Sequence, residues 1–258
     1  RFIRNGFSKG KNFVSVSNKT EADLKHFLFK EPEFSSTIYN GLNFPFRPMP
    51  STEAAICLSE AELKIPNSGF LLHVGGNQWY KNRVGVLEIY EAYVGQTENP
   101  LPLWMIGAAP TEQMSELKTR IASSGQIYFL SGLSDLQVCA AYSAASLMIF
   151  PSLEEGFGWP IAEAMACGCP VLTTGQAPMT EVGGNAAYYI PRRPADDVKT
   201  WALDASKKVF SILTLSEEKK QKLKLKGLEQ AAKFDAVKTL DEYEHTYQAI
   251  IKTGKESQ

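Results

Sequence analysis

The chain has 258 residues, of which 44% are hydrophobic and 21% charged, with a formal net charge of -1. That length suits one large domain, or one domain with a fragment of another, and it allows a sizeable core. The balanced charge provides no basic excess for nucleic acid and no acidic tail for a basic partner.

No apolar run is long enough to cross a membrane as a helix. The opening residues do not read as a signal peptide. The first residue is Arg1, in mid-pattern, so a piece of something longer, or a shortened protein, is expected. Four dispersed cysteines, Cys57, Cys139, Cys167 and Cys169, argue for a reducing compartment rather than a disulfide framework. The pair Cys167 and Cys169 resembles half of a metal clip. Zinc needs two further ligands, and His26, His73 and His245 form no local cluster, so structural cysteines and no metal are expected.

In chain order, "NFVSVS" (12–17) reads as a strand and "KTEADLKHFLF" (19–29) as the helix after it. "STIYNG" (36–41) reads as the next strand, closed by an Asn-Gly turn. Residues 42–67 hold Pro45, Pro48, Pro50 and Pro66 and read as irregular, with a linker between two units at 46–67. The alternation restarts with a strand in "GFLLHVGG" (69–76). A helix in "RVGVLEIYEAYV" follows, by the spacing of Val86, Ile89, Tyr90 and Tyr93. "LPLWMIG" and "QIYFL" are strands, and "TEQMSELKTRIASS" between them is a helix with a Thr cap. "SDLQVCAAYSAA" is a helix, "SLMIFPS" a strand, and "PIAEAMACG" a helix opened by Pro160. "PVLTT", "MTEVGG" and "AAYYI" add a strand, a short helix and a strand; from Asp196 the chain is polar and helical.

Short apolar strands alternating with helices predict an α/β fold with a doubly wound parallel sheet, its strands buried on both faces. Ligands of such sheets bind beyond the carboxyl ends of the strands. Those ends fall at 75–81, at Gly107, at 131–134 and at 152–158.

Two of these ends carry chemistry. In "HVGGNQWYKNR", Gly75 and Gly76 precede Lys81 near a helix start, a pattern that suits pyrophosphate. The spacing fits neither the dinucleotide fingerprint nor the P-loop, and a plain tight turn with a solvated lysine explains it equally well. In "FPSLEEGFGWPIAEAMACGCPV", Glu163 is expected in the first turn of the helix, where a carboxylate gains about 0.3–1 kcal/mol from the dipole. That accounts for neither Glu155 nor the glycines Gly156 and Gly158. A carboxylate can accept two neighbouring sugar hydroxyls. A nucleotide sugar has a diol at each end with pyrophosphate between. Two glutamates flanking amide groups and Lys81 match that layout.

The stretch "PSLEEGFGWPIAEAMACGCPVLTTGQAPMTEVGGNAAYYI" resembles the donor-binding lobe of the retaining GT-B glycosyltransferases of family 4, also called glycosyl transferases group 1. Their signature is a Glu, seven residues, then a Glu, in an EGFG-x-P-x-x-EA-x-A-x-G-x-PV frame. "LLHVGGNQWYKN", "YFLSGLSDLQVCAAYSAASLMIFPS" and the late "FDAVKTLDEYEHTYQAI" agree in order, and "VSVSNKTEADL" with "TIYNGLNF" is similar to the end of the acceptor lobe and its hinge.

The resemblance implies a Rossmann-like lobe at 68–233, the end of an acceptor lobe at 1–45, and a last helix at 234–258 crossing back to it. It implies transfer of a sugar from a nucleotide sugar, a GDP- or UDP-sugar, with retention of configuration and no metal or other cofactor. Catalytic roles fall on Glu155 and Lys81. Donor contacts fall on Gly75, Gly76, Lys81, Glu155, Gly156, Phe157, Gly158 and Glu163, with Leu130, Ser131 and Leu133 lining the base. Glu155 would face the transferred sugar, Glu163 the ribose, and Lys81 the leaving pyrophosphate. The acceptor would be a glycan or lipid-linked glycan, met by the cytoplasmic enzyme at a membrane surface only through the missing part of the acceptor lobe. Two positions depart from the family. Gly76 stands where Arg is usual, leaving Arg83 to reach in, and Ser131 stands where glycine is common. Gly76 followed by "KN" is similar to a mannosyltransferase-like subgroup. A nucleotide-sugar-binding module without transfer of its own is the alternative. An epimerase of the same fold is disfavoured by the complete Glu–x7–Glu frame.

Overall fold

The structure is a computed structural model that describes residues 6, 7, 9–28 and 30–256. The start of the sequence, residues 1–5, and the expected end of the first helix at residue 29 lie outside the described residues. A small first unit pairs β1 (Asn12–Ser15) with β2 (Phe34–Thr37) in parallel, joined by α1 (Asn18–Phe27).

The second unit contains six parallel strands. These are β3 (Leu71–Val74), β4 (Leu103–Ile106), β5 (Ile127–Leu130), β6 (Leu147–Phe150), β7 (Val171–Thr174) and β8 (Tyr188–Ile190). Their order in the sheet is β5-β4-β3-β6-β7-β8. The order reverses between β3 and β6, which makes their carboxyl ends the expected binding crevice.

Successive strand residues point to opposite faces, and both faces are apolar. Leu72, Trp104, Met148 and Val171 pack on one side with α2 (Ser51–Ser59), α5 (Asp135–Ala144), α6 (Trp159–Ala166) and α9 (Glu217–Ala231). Leu71, Leu103, Leu147 and Leu172 pack on the other with α3 (Arg83–Val94), α4 (Glu112–Ile121) and α8 (Val198–Leu213). This is the doubly wound sheet expected from the uninterrupted apolar runs. A short α7 (Met179–Gly183) precedes β8, and α10 (Ala236–Glu256) closes the chain.

Three expectations need correction. Residues 42–67 are not wholly irregular. The prolines at 45, 48 and 50 all precede α2, and Pro50 is its N-cap. No proline or glycine falls within Ser51–Ser59, and burying Ala54, Cys57 and Leu58 against the core holds the helix. The second strand lies at Phe34–Thr37 rather than at 36–41, because only those residues pair with β1. Glu163 is not in the first helical turn: α6 begins at Trp159 with Gly158 as N-cap, so Glu163 is its fifth residue.

Candidate active site at the switch point

Pairing between β3 and β6 stops at Leu72 and Met148, and the chains beyond are joined by side chains and loops. The Nδ1 of buried His73 lies 3.0 Å from the carbonyl oxygen of Ile149, which assigns its proton to Nδ1. Burial pushes this imidazole down to about 3, against the opposing pull of that carbonyl, so it is a neutral strut between the strands.

The two loops then bond to each other. Leu153 N–H donates to the Tyr80 carbonyl at 2.7 Å, and Asn82 Nδ2 donates to the Pro151 carbonyl at 2.9 Å. Ser152 Oγ lies 2.8 Å from both the Tyr80 carbonyl and Glu155 Oε1, with one proton to serve both. Sequence reasoning assigned Ser152 no role; its place three residues before Glu155 is the only signal it offers.

These bonds bring Lys81 and Glu155 together. Lys81 Nζ donates to Glu155 Oε1 at 2.7 Å, with the side chains 15% and 8% exposed. The ammonium also stands 5.1 Å from the Phe150 ring centroid and 5.5 Å from that of Tyr80. An ammonium with two aromatic faces and one carboxylate is a strong local charge that a phosphate oxygen could share.

Glu163 approaches from α6. Its Oε2 accepts from the Tyr142 hydroxyl of α5 at 2.9 Å. Burial pushes this carboxyl up to about 7, the Tyr142 bond opposes it, Asp135 adds to the rise and Lys81 offsets part of it. Burial, and then the Glu163 charge, raise the Tyr142 hydroxyl well above its usual range. Nothing in the local sequence marks Tyr142; helix packing delivers it.

Between the glutamates, Gly158 ends the loop as the N-cap of α6 and supplies no side-chain cap. Pro160 has no N–H, and Ile161 N–H donates to the Gly158 carbonyl at 3.0 Å, which leaves the Trp159 N–H of the first turn to meet an anion. Phe157 is buried, with its ring 5.3 Å from Phe234 and 6.3 Å from Tyr39. Its side chain anchors the loop, and only its backbone can face a ligand. The carbonyl of Gly156 lies within hydrogen-bond reach of the hydroxyls of Ser17 and Thr20, two residues that sequence reasoning passed over.

Gly75 and Gly76 follow β3. Gly107, at the end of β4, has φ of 142°, and a Cβ there would meet the Gly75 carbonyl oxygen at 2.1 Å. Only glycine lets these two loops lie so close. Arg83, the first residue of α3, bonds Asn77 Oδ1 and donates to the Ala108 carbonyl at 2.8 Å, tying the same two loops. It is 4% exposed, and its Nε and Nη2 have no partner among the described residues. Leu130, Ser131 and Leu133 sit at the end of β5, two strands from the switch point. Ser131 is exposed and Leu133 half-buried. The sulfurs of Cys139 and Cys167 lie 3.6 Å apart in the core.

Comparison with known proteins places this geometry. Residues 69–205, just over half of the chain, match the family described as Glycosyl transferases group 1. O-antigen chain mannosyltransferase B of Escherichia coli is 31% identical over 139 residues, which cover 53% of this chain and 36% of that protein. Serotype-specific mannosyltransferase WbdA of Escherichia coli is 25% identical over 193 residues, covering 73% of this chain and 23% of that protein. The chain therefore spans about a third or less of the length of these curated relatives. Among solved structures, a glycosyltransferase from Rickettsia africae aligns with a TM-score of 0.74 at 19% identity, covering 98% of this chain and 68% of that one. Anabaena HepE, solved in complex with UDP and glucose, aligns with a TM-score of 0.76 at 14% identity, covering 92% of this chain and 63% of that one. These two share the fold. With more than half of its length matched by the family, the chain belongs to the group 1 glycosyl transferases and has their GT-B type of α/β architecture.

Proposed function

We propose that this chain is the donor-binding part of a retaining glycosyltransferase. The enzyme moves a sugar from a GDP- or UDP-sugar to a glycan or lipid-linked glycan. The observation that carries the proposal is the Lys81–Glu155 pair at 2.7 Å, with Glu163 in the helix that follows the Gly156–Gly158 loop.

In this reading the bond from the sugar's anomeric carbon to the phosphate oxygen breaks, a bond to an acceptor oxygen forms on the same face, and the proton of the acceptor hydroxyl passes to the departing phosphate oxygen. Lys81 and the Trp159 N–H at the start of α6 stabilise the negative charge that develops on the pyrophosphate. Glu155 binds hydroxyls of the transferred sugar. Both of its present bonds fall on Oε1, and a sugar would meet Oε2. Glu163 accepts from the ribose hydroxyls, and Leu130, Ser131 and Leu133 line the base. Gly75 and Gly76 let the backbone approach the phosphates. Arg83, with two unpartnered donors beneath the same loops, supplies charge that an arginine at Gly76 would have provided.

A mannose donor is favoured, because two relatives are named mannosyltransferases and Gly76 departs from the family in the same direction. No bound metal or cofactor besides the donor is required by this chemistry, and a cytoplasmic location fits a nucleotide-sugar donor. Among the described residues no helix is long and apolar enough to cross a membrane.

In domain terms, residues 1–45 end an acceptor lobe, 46–67 link, 68–233 bind the donor, and 234–258 cross back. The start of α10 supports the last assignment. Leu42 N–H donates to the Phe234 carbonyl at 2.9 Å, and Thr239 Oγ1 donates to the Tyr39 carbonyl at 3.0 Å.

Calorimetry with GDP, UDP, GDP-mannose and UDP-glucose tests the donor site. Binding of at least one is expected, weakened by Glu163→Ala by about 1–3 kcal/mol. Absence of binding to all four would overturn the donor-site assignment.

A further inference from the structure

The loop that carries Glu155 is held from outside its own unit. The carbonyl oxygen of Gly156 lies 2.7 Å from Ser17 Oγ and 3.0 Å from Thr20 Oγ1, at the start of α1 in the small first unit. Ser17 is fully buried and is the N-cap of α1, accepting from Thr20 N–H at 3.1 Å. Its Oγ is also 2.8 Å from Thr20 Oγ1. Two hydroxyl protons thus serve three contacts. The two shortest define a relay in which Thr20 O–H donates to Ser17 Oγ and Ser17 O–H donates to the Gly156 carbonyl.

A second contact fixes α1 against the same unit. The N–H groups of Asn18 and Lys19 donate to the two oxygens of Glu181 at 2.8 and 2.9 Å. The Tyr39 hydroxyl donates to Glu181 Oε2 at 2.9 Å. The first-turn amides of a helix need partners, and a carboxylate is a favourable one. Here the carboxylate comes from α7, more than 160 positions away, instead of from the residues that precede the helix.

The geometry of one peptide connects this clasp to the donor. Gly156 has no Cβ, and one built there would find no heavy atom closer than 3.9 Å, so no side chain of its own fixes the direction of the Gly156–Phe157 peptide. In a planar trans peptide the carbonyl and the following N–H point in opposite directions. Fixing the Gly156 carbonyl towards α1 therefore fixes the Phe157 N–H away from α1.

We infer that Ser17 and Thr20 are positioning residues of the donor site, setting the direction of the Gly156–Phe157 peptide and, through it, the Glu155 loop, while Glu181 clamps α1 in place. This rests on the donor-site reading given above.

The test uses the full 258-residue chain. Hydrogen exchange of the ligand-free protein is compared for wild type, Ser17→Ala with Thr20→Val, Ser17→Thr, and Glu181→Gln. In the double variant, exchange at the amide of Leu153, which lies in the same loop and bonds the Tyr80 carbonyl, is expected to rise about tenfold or more while β3, β4 and β5 stay protected. The affinity for whichever of GDP or UDP binds the wild type is expected to fall about fivefold to tenfold. Ser17→Thr keeps a hydroxyl and leaves both near wild type. Glu181→Gln, which leaves Ser17 and Thr20 intact, gives a smaller change in the same direction. Unchanged exchange at Leu153 in the double variant overturns the inference, as does a rise spread evenly over the whole sheet. If the wild type binds neither nucleotide, the donor-site reading fails, and the exchange pattern alone decides whether the clasp sets the loop.

Discussion

Glu155 meets an ammonium group, and Glu163 meets a phenol. The two side chains flank the Gly156–Gly158 loop in sequence, eight positions apart, yet their surroundings differ in kind. Glu155 is reached by a cation carried on the loop after β3, so its partner brings the compensating charge. Glu163 is reached by a neutral hydroxyl from α5, and burial outweighs that bond and lifts the carboxyl to about 7. Under the proposed function the difference separates two tasks. A carboxylate with a fixed counter-charge can share that cation with a phosphate. A carboxyl poised near neutrality can gain most from the two hydroxyls of a ribose.

The largest effect expected from breaking this contrast is at the pair. Lys81→Met retains the aliphatic stem near Phe150 and leaves Glu155 without its cation, at a cost of about 3 kcal/mol in urea unfolding. Adding Glu155→Gln in that background should recover most of the loss. A loss below about 0.5 kcal/mol for the single variant would show that water screens the pair as it does at a surface.

The second effect concerns binding. If ribose is held by the ionised form of Glu163, nucleotide affinity should fall about tenfold between pH 8 and pH 6, a span that brackets a carboxyl near 7. Calorimetry at the two pH values measures it, and Glu163→Gln should flatten the profile. A wild-type profile equally flat would remove Glu163 from the ribose.

The smallest effect is on the ligand-free fold. The carboxyl of Glu163 is raised from 4.5 to about 7, so its contribution to stability is fully present below pH 4.5 and is lost as pH rises through 7. Thermal melts at pH 5 and pH 8 should show wild type losing about 1 kcal/mol more than Glu163→Gln over that span, the figure being reduced for solvent screening. Equal losses would mean that the raised carboxyl does not couple to folding.

Much of the sheet was legible in advance because strands buried on both faces leave apolar runs closed by glycine or proline. α3 was legible to the residue: the stretch Arg83–Val94, read as helical from the spacing of Val86, Ile89, Tyr90 and Tyr93, is the helix. α2 was hidden because four prolines spread over residues 42–67 dominated the stretch, although none falls inside the helix. The turn assigned to Glu163 was missed by a shift of one residue: Pro160 looked like a helix start, but the backbone of Gly158 caps the helix earlier. Lys81 and Glu155 were legible as residue types suited to phosphate and sugar. Their contact was not, because it follows from the strand order, which brings β3 beside β6. Tyr142, Ser17 and Thr20 act across packed elements and leave no trace in local pattern.

The strand order has a practical consequence. The sheet reads outward from its centre as two half-sheets, β3-β4-β5 and β6-β7-β8, and the chain passes from the first to the second through the largely exposed residues 131–134. A cleavage there would place Lys81 on one fragment and Glu155 on the other. Their reassembly would depend on the β3–β6 seam and on α8, whose core residues pack in one cluster with those of α3. Recovery of the fold on mixing would make the protein a split reporter, because the Lys81–Glu155 contact forms only when the two fragments assemble.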